Sequence, residues 1–329
     1  MKSVFYDRFG AAADVLQLKT FDTPAPAAGE VTVKLAFSGV NPSDTKSRAG
    51  SPTGPAKPLF AKVIPHSDGS GVIEAVGEGV DPKRIGTRVW IWNGQWQRAF
   101  GTASTHIILP AEQAVFLPDA VSLETGAILG IPGLTAAQAV FGNGKVEGQT
   151  LLISGGGGTV GYLAVQLAVW SGAKVIATCS ARDVERVKAA GAQTVLDYRS
   201  ATLAADILAA NDGAPVDRIL EVEFGVNVAM NAEVIAPNGC IAAYGSQIDM
   251  TPTLPFRPLL FKAVTIDIIL IYLLPLPQRE TCIDLLHRAF ADRALTCPVA
   301  QVFPLEDCVA AHNAVTTGGR AGAVLIDCS

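Results

Sequence analysis

The segment that most constrains this chain is Thr150-Leu-Leu-Ile-Ser-Gly155-Gly156-Gly157-Gly158-Thr159-Val160-Gly161. An apolar run of strand character enters consecutive glycines and leaves as the helical pattern Tyr162-Leu-Ala-Val-Gln-Leu-Ala-Val-Trp170. Gly156, Gly158 and Gly161 satisfy the spacing G-x-G-x-x-G. In such a loop the first glycine permits a tight turn, the second lets backbone approach a pyrophosphate, and the third lets helix pack on strand. The helix start at Thr159 and Val160 then offers unpaired N–H donors and the positive end of the helix dipole to phosphate. A merely flexible turn would also be glycine-rich. The complete strand–loop–helix–strand context is what points to dinucleotide binding.

The surroundings support a parallel sheet. From Gln149 to about Ile271 strands and helices alternate. Strands are expected at Thr150–Ser154, Lys174–Cys179, Thr194–Leu196, Val216–Val222, Cys240–Tyr244 and Val264–Ile271. Helices are expected at Val160–Ser171, Asp183–Ala190, Ala201–Ala210, Asn227–Ile235 and, more weakly, Leu259–Lys262. The strands are apolar nearly throughout, as in sheets covered on both faces. The fold class is therefore α/β with a doubly wound parallel sheet. The first ~120 residues differ, with short β-type runs such as Val31–Phe37, Val72–Val76, Arg88–Trp92 and Thr105–Leu109 broken by Gly/Pro clusters. After Pro277 come a helix to about Ala291, another near Leu305–Val315 and a last strand, Ala323–Asp327.

So much apolar sequence raises the question of a membrane. Hydrophobic residues are 49% of the chain and mean hydropathy is +0.34. The most apolar stretch, Ala263 to Leu276, is interrupted by Asp267 and closed by Pro275 and Pro277, and is shorter than the roughly 20 residues a spanning helix needs. The first residues, Met1 to Gly10, carry Asp7 and no apolar signal core, so a soluble cytoplasmic protein is expected. A net charge of −5 without a basic run argues against nucleic acid. The cysteines, Cys179, Cys240, Cys282, Cys297, Cys308 and Cys328, form no CxxC, hence neither a disulfide framework nor a structural zinc pattern.

The end of the second strand of the parallel sheet selects the cofactor. An acid there would bind the ribose hydroxyls of NAD. Here Ala177-Thr-Cys-Ser-Ala-Arg182 ends without one. Ser180 and the fork-shaped donor Arg182 suit a 2′-phosphate, with Tyr198 and Arg199 available to enclose it, so NADPH is expected over NADH. A solvated surface cation is the other reading of Arg182, and Asp183 reads as an acid in a helix first turn.

With these residues in view, the chain resembles the zinc-free quinone oxidoreductases, close to zeta-crystallin, of the medium-chain dehydrogenase/reductase superfamily. The resemblance is carried by Gly39-Val-Asn-Pro-Ser-Asp44, Ile64-Pro-His-Ser-Asp-Gly-Ser-Gly-Val-Ile-Glu-Ala-Val-Gly77, Gly130-Ile-Pro-Gly-Leu-Thr-Ala136, the glycine loop, and the tail Leu305-Glu-Asp-Cys-Val-Ala-Ala-His312 to Gly322-Ala-Val-Leu. It implies a GroES-like β-rich catalytic domain interrupted by a Rossmann domain, with the active cleft between them. The corresponding boundaries are 1–123, 124–271 for the NADPH-binding domain, and 272–329 returning to the catalytic domain. Zinc-dependent relatives carry a Cys where Asn41 stands and a His where Ser67 stands, with His66 displaced by one position. No tetrahedral N/S set remains, and no metal is expected. His106, His287 and His312 read as isolated, packed or exposed, rather than as ligands.

Without a Lewis acid the substrate must accept hydride readily, which quinones and activated alkenes do. The resemblance points to Asn41 beside the nicotinamide ribose or substrate carbonyl, or else as a turn former before Pro42. Thr135 would face the nicotinamide or simply start a helix, and Tyr244, Gly245 and Ser246 would present backbone groups to it. Lys46 stands where many relatives have Tyr; it either stabilises a developing oxyanion, with Asp44 orienting it, or is solvated. Trp90, Trp92 and Trp96 form either a flat wall for a planar ring or core. The sixth Rossmann strand, Val264 to Leu274, is an apolar edge that implies a homodimer paired across it. Three functions fit: an NADPH-dependent quinone reductase, a reductase of enals, enones or enoyl thioesters, and a non-catalytic NADPH-binding protein.

Overall fold

The computed structural model describes all 329 residues. They form two compact units, Met1–Ile131 with Cys297–Ser329, and Pro132–Thr296.

The first unit opens with β1 (Lys2–Phe5), α1 (Ala12–Val15) and β2 (Gln17–Thr20), the two strands pairing antiparallel. Its main sheet takes β3 (Glu30–Val40), β4 (Asp68–Val76), β5 (Arg88–Ile91), β6 (His106–Pro110) and β7 (Ala114–Phe116), with α2 (Pro42–Ala49) after β3 and α3 (Leu123–Gly126) after β7. The strands alternate inward and outward residues around a core that includes Val31, Val33, Leu35, Ile64, Ile73, Val89, Ile91 and Ile107. Trp90 lies on β5, fully buried between Ser70 and Val115 of the neighbouring strands, and Trp92 is also buried. These two rings are core rather than a pocket wall.

The second unit contains α4 (Leu134–Phe141), β8 (Thr150–Ile153), α5 (Thr159–Trp170), β9 (Lys174–Cys179), α6 (Val184–Ala189), β10 (Thr194–Asp197), α7 (Leu203–Ala210), β11 (Val216–Glu221), α8 (Phe224–Val234), β12 (Ile235–Ala243), α9 (Phe256–Phe261), β13 (Thr265–Ile268) and α10 (Leu276–Ala291). The six strands run parallel in the order β10-β9-β8-β11-β12-β13, the doubly wound arrangement read from the alternation. The expected sixth strand is shorter than its apolar run. β13 pairs with Cys240–Ala243 only, and Ile271–Leu273 then turn tightly ahead of Pro275.

The chain returns to the first unit as β14 (Val299–Pro304), α11 (Cys308–Thr317) and β15 (Ala323–Asp327), β15 pairing with β3. The units divide at 131/132 and 296/297 rather than near 123 and 271. The reason is packing. α10 lies on α4. Gln166 receives the backbone N–H of Thr296 at 2.9 Å, and Trp170 donates to Asp292 at 3.0 Å. All of these keep 272–296 with the parallel sheet. Every cysteine is a free thiol, buried except for the half-buried Cys297. No helix is long and apolar enough to cross a membrane.

Arg218 ties the sheet to α4. It is buried on β11 and donates to the backbone oxygens of Asn143, at 2.7 Å, and Val140. Its loss strands the buried Val140 carbonyl and leaves its own place in the sheet empty. Arg218→Ala is expected to lower stability by about 2–3 kcal/mol, measured as a drop in the urea midpoint with an unchanged slope.

Candidate active site

The glycine loop builds an anion cradle from backbone alone. Gly155 carries φ +70, a conformation L side chains rarely adopt, so the turn belongs to Gly155 rather than to Gly156. Gly156 anchors the loop by donating to Thr178 O at 2.8 Å. A β-carbon on Gly161 would collide with Gly155 O, so only glycine lets α5 start this close to the strand end. Gly158 is the N-cap, and the first intrahelical bond runs from Tyr162 N to Gly158 O at 2.8 Å. The N–H groups of Thr159, Val160 and Gly161 precede it and are left for a ligand. The second unit therefore fits the pyrophosphate of a dinucleotide.

Beside this cradle, the end of β9 carries a charged knot. Ser180 Oγ donates to Asp183 Oδ2 at 2.8 Å, Arg182 Nε to the same oxygen at 3.3 Å, and Arg186 Nη2 to Asp183 Oδ1 at 3.0 Å. Arg186 also reaches Gly157 O. Burial raises the Asp183 pKa, but the hydrogen bonds from Ser180, Arg186 and Arg182 outweigh it and hold the carboxyl below its ordinary range. Asp183 is thus a fixed acceptor for arginine rather than a simple helix-start acid. Arg182, with an exposed side chain, keeps the far edge of its guanidinium outward. Tyr198 is exposed, with the Arg199 guanidinium 4.8 Å over its ring.

At the other strand ends, Tyr244 N donates to Glu221 O at 3.0 Å, and Gly245 O accepts from Phe224 N at 2.9 Å. A side chain at Gly245 would strike Val222 O. Ser246 Oγ accepts from Gly225 N at 2.9 Å, which locks the segment after β12 against the start of α8. Thr135 is buried in the first turn of α4.

The first unit holds a buried acid–amide cluster. Asn41 caps α2 with extended backbone, and Pro42 at the next position has a ready-made helical φ. Asp44, three residues on, accepts the Asn41 backbone N–H at 2.7 Å. The Asn41 amide donates through Nδ2 to Asp68 Oδ2 at 2.8 Å. Asp68 is fully buried, and a side chain at Gly130 would meet its carboxyl. Burial pushes Asp68 well up, and Asp44 adds to the rise, while Asn41 and the Ile131 N–H pull the other way. Burial likewise raises Asp44 to about 7 against hydrogen bonds from Asn41 and the Ser67 N–H. Sequence reasoning missed Asp68 as a site residue; its signal was an acid at the head of the strand that became β4.

Two expectations change here. Lys46 is exposed, whereas Asn41 and Asp44 are buried. Residues two apart on a helix do not share a face, so α2 turns Lys46 away from the pair. His312 is not isolated: its Nε2 lies 2.9 Å from Nε2 of His66. At the position of the zinc-binding Cys, the Asn41 amide is already oriented by Asp68, and Ser67 is a buried hydroxyl residue. This pair does not fit a catalytic zinc.

Residues 27–119 match the model of the alcohol dehydrogenase GroES-like domain, and residues 159–288 match one described as zinc-binding dehydrogenase. The chain is 30% identical over 256 residues to the chloroplast envelope quinone oxidoreductase homolog of Arabidopsis thaliana, covering 77% of this chain and 75% of that one. It is 27% identical to the quinone oxidoreductase of Homo sapiens, over 99% of this chain and 97% of that one. A mycobacterial structure complexed with NADPH superposes with TM-score 0.86 at 25% identity over 99% of both chains.

The raised Asp44 pKa has a signed consequence. Between its unfolded value near 3.9 and its folded value of about 7, the native state holds a proton that the unfolded chain has released. Stability contributed by this group is therefore lost as pH rises through that window. Asp44→Asn keeps an acceptor and removes the titration. Relative to wild type, the variant is expected to gain up to about 4 kcal/mol between pH 4 and pH 8, read from urea unfolding at both pH values.

Proposed function

Because the chain belongs to the zeta-crystallin-like, quinone oxidoreductase branch of the medium-chain dehydrogenase/reductase superfamily, and so is a nicotinamide-dependent oxidoreductase acting on a small molecule, we propose that it reduces quinones with NADPH and without a metal. The observation that carries the reading is the pairing of a backbone phosphate cradle with a carboxyl-oriented Asn41 where a zinc-dependent relative has Cys.

When bound, the cofactor supplies the hydride. The chain supplies position and field. The glycine loop holds the pyrophosphate through N–H donors, and Arg182 offers its outward guanidinium edge to the 2′-phosphate. Asp183 keeps that arginine in place, and its engagement with two arginines speaks for NADPH, since a carboxylate so occupied is a poor acceptor for ribose hydroxyls. Asp68 holds one Asn41 N–H, which leaves the other amide hydrogen and Oδ1 to meet the ribose or the acceptor carbonyl. A quinone takes the hydride at a ring already conjugated to both carbonyls and completes its reduction with one proton from water.

The edge strand β13 supports a homodimer of this enzyme. It ends the parallel sheet, and Ile268, Phe261 and Leu273 beside it are strongly exposed. An apolar edge of this kind needs a partner.

NADPH oxidation at 340 nm with a quinone, an enone and no acceptor tests the reaction. Turnover with the quinone is expected to exceed that with the enone; the reverse order, or tight NADPH binding without turnover, contradicts the proposal. Asn41→Ala is expected to lower kcat/KM about 100-fold. Arg182→Ala is expected to raise KM for NADPH about tenfold while leaving KM for NADH unchanged. In analytical ultracentrifugation at micromolar concentration a dimer is expected, and a monomer overturns that part of the reading.

A further inference from the structure

The densest group of metal-type donors lies apart from the glycine loop. His66, Cys308 and His312 are all buried, and their ligand atoms lie within 4.8 Å of one another. Cys308 and His312 are four residues apart on α11 and so share a face. His66 approaches from the segment before β4 with φ +77, a strained conformation for any residue with a β-carbon. Its glycine-type backbone places an imidazole where it meets the other two donors.

The hydrogen bonds fix the protons. Thr102 Oγ1 donates its single proton to Asp68 O. The 2.7 Å bond between Ser38 Oγ and Thr102 Oγ1 must then use the Ser38 proton. Ser38 Oγ therefore accepts from His66 Nδ1 at 2.9 Å. His66 is the Nδ1–H tautomer, with a bare Nε2 facing His312. The 2.9 Å contact between the two Nε2 atoms requires His312 to donate from Nε2. That leaves His312 Nδ1 with a lone pair and no partner inside a fully buried ring. A histidine whose second nitrogen is held by an outer hydroxyl is the arrangement that orients an imidazole ligand.

We propose that His66, Cys308 and His312 form a closed three-coordinate site for Cu(I). A thiolate with two imidazoles suits a soft monovalent ion. No fourth carboxylate, thiol or imidazole joins the group, and three-coordination needs none. Charge favours the same ion. One Cu⁺ with one thiolate is neutral, whereas Zn²⁺ would leave a positive charge in a site without water access, near the Arg48 guanidinium. By the hydrogen-bond pattern above, His66 Nε2 already presents a bare lone pair to the site, which is the ligating form.

The binding step balances simply. Cys308 loses its thiol proton to solvent as the Cu–S bond forms. His312 moves its proton from Nε2 to Nδ1, and His66 donates an existing lone pair. One Cu⁺ enters, one H⁺ leaves, and no oxidation state changes. With metal–nitrogen distances of about 2 Å, the two nitrogens need to part by only about half an ångström.

The test uses the full-length reduced protein, equilibrated anaerobically with the Cu(I)–bicinchoninate complex, with copper transfer read from the loss of chelator colour. One Cu(I) per chain is expected, with retention falling at least tenfold in Cys308→Ala and in His66→Gly. His66→Gly relieves φ +77 but empties a buried ring, so Cys308→Ala, which loses only the sulfur, is the variant whose retained melt separates copper loss from misfolding. Zn²⁺ offered alone should not be retained after desalting. No uptake by the wild type, equal uptake by both variants, or stoichiometric Zn²⁺ retention would each overturn the assignment.

Discussion

The first unit depends on one buried carboxyl. Asp68 stands at the start of β4 and takes the Asn41 amide, the Ile131 N–H and, through its own backbone oxygen, the Thr102 hydroxyl. Those partners come from the cap of α2, the segment leading out of the unit, and the strand-side hydroxyl chain that reaches His66. A carboxyl with no water contact is costly unless each lone pair is used. The Asn41 amide meets part of that cost at Oδ2, Oδ1 is buried without a hydrogen bond of good geometry, and a glycine at 130 keeps a side chain from crowding it. The orientation of Asn41 follows from this arrangement, and so does the protonation pattern of the histidine pair.

Much of the second unit was legible because its signals are local. A strand entering glycines, a helix leaving them, and apolar runs at regular spacing each carry their own reason. Lys174–Cys179 is observed with the boundaries read from the sequence. Lys46 is exposed, the solvated alternative that the sequence left open. Where reading failed, the deciding contact was distant. The helix Leu276–Ala291 starts between Pro275 and Pro277, which suggest a boundary, yet packing on α4 retains it in the parallel-sheet unit. His66 and His312 are 246 residues apart, and no periodicity connects them. β14 was not expected, because a half-buried strand that pairs only with β15 carries little alternation.

The same contrast separates the two halves of the function. Phosphate recognition is built from backbone, so glycines announce it. The proposed discrimination between the two nicotinamide cofactors rests on how Asp183 and two arginines share charge, which only side-chain geometry reveals. The proposed acceptor end is an amide whose meaning comes from its carboxyl neighbours rather than from any motif of its own.

The buried cysteines give the chain a chemical tolerance. Quinones and enones are electrophiles that alkylate thiolates by conjugate addition. Thiolate is the reactive form, and burial pushes the Cys282, Cys297 and Cys328 thiols up to about 12. Cys179, Cys240 and Cys308 are raised by burial as well. On the proposed function, the chain works among its own inactivators. Five of the six thiols are buried and Cys297 is half-buried, so in the metal-free chain little thiolate meets such electrophiles.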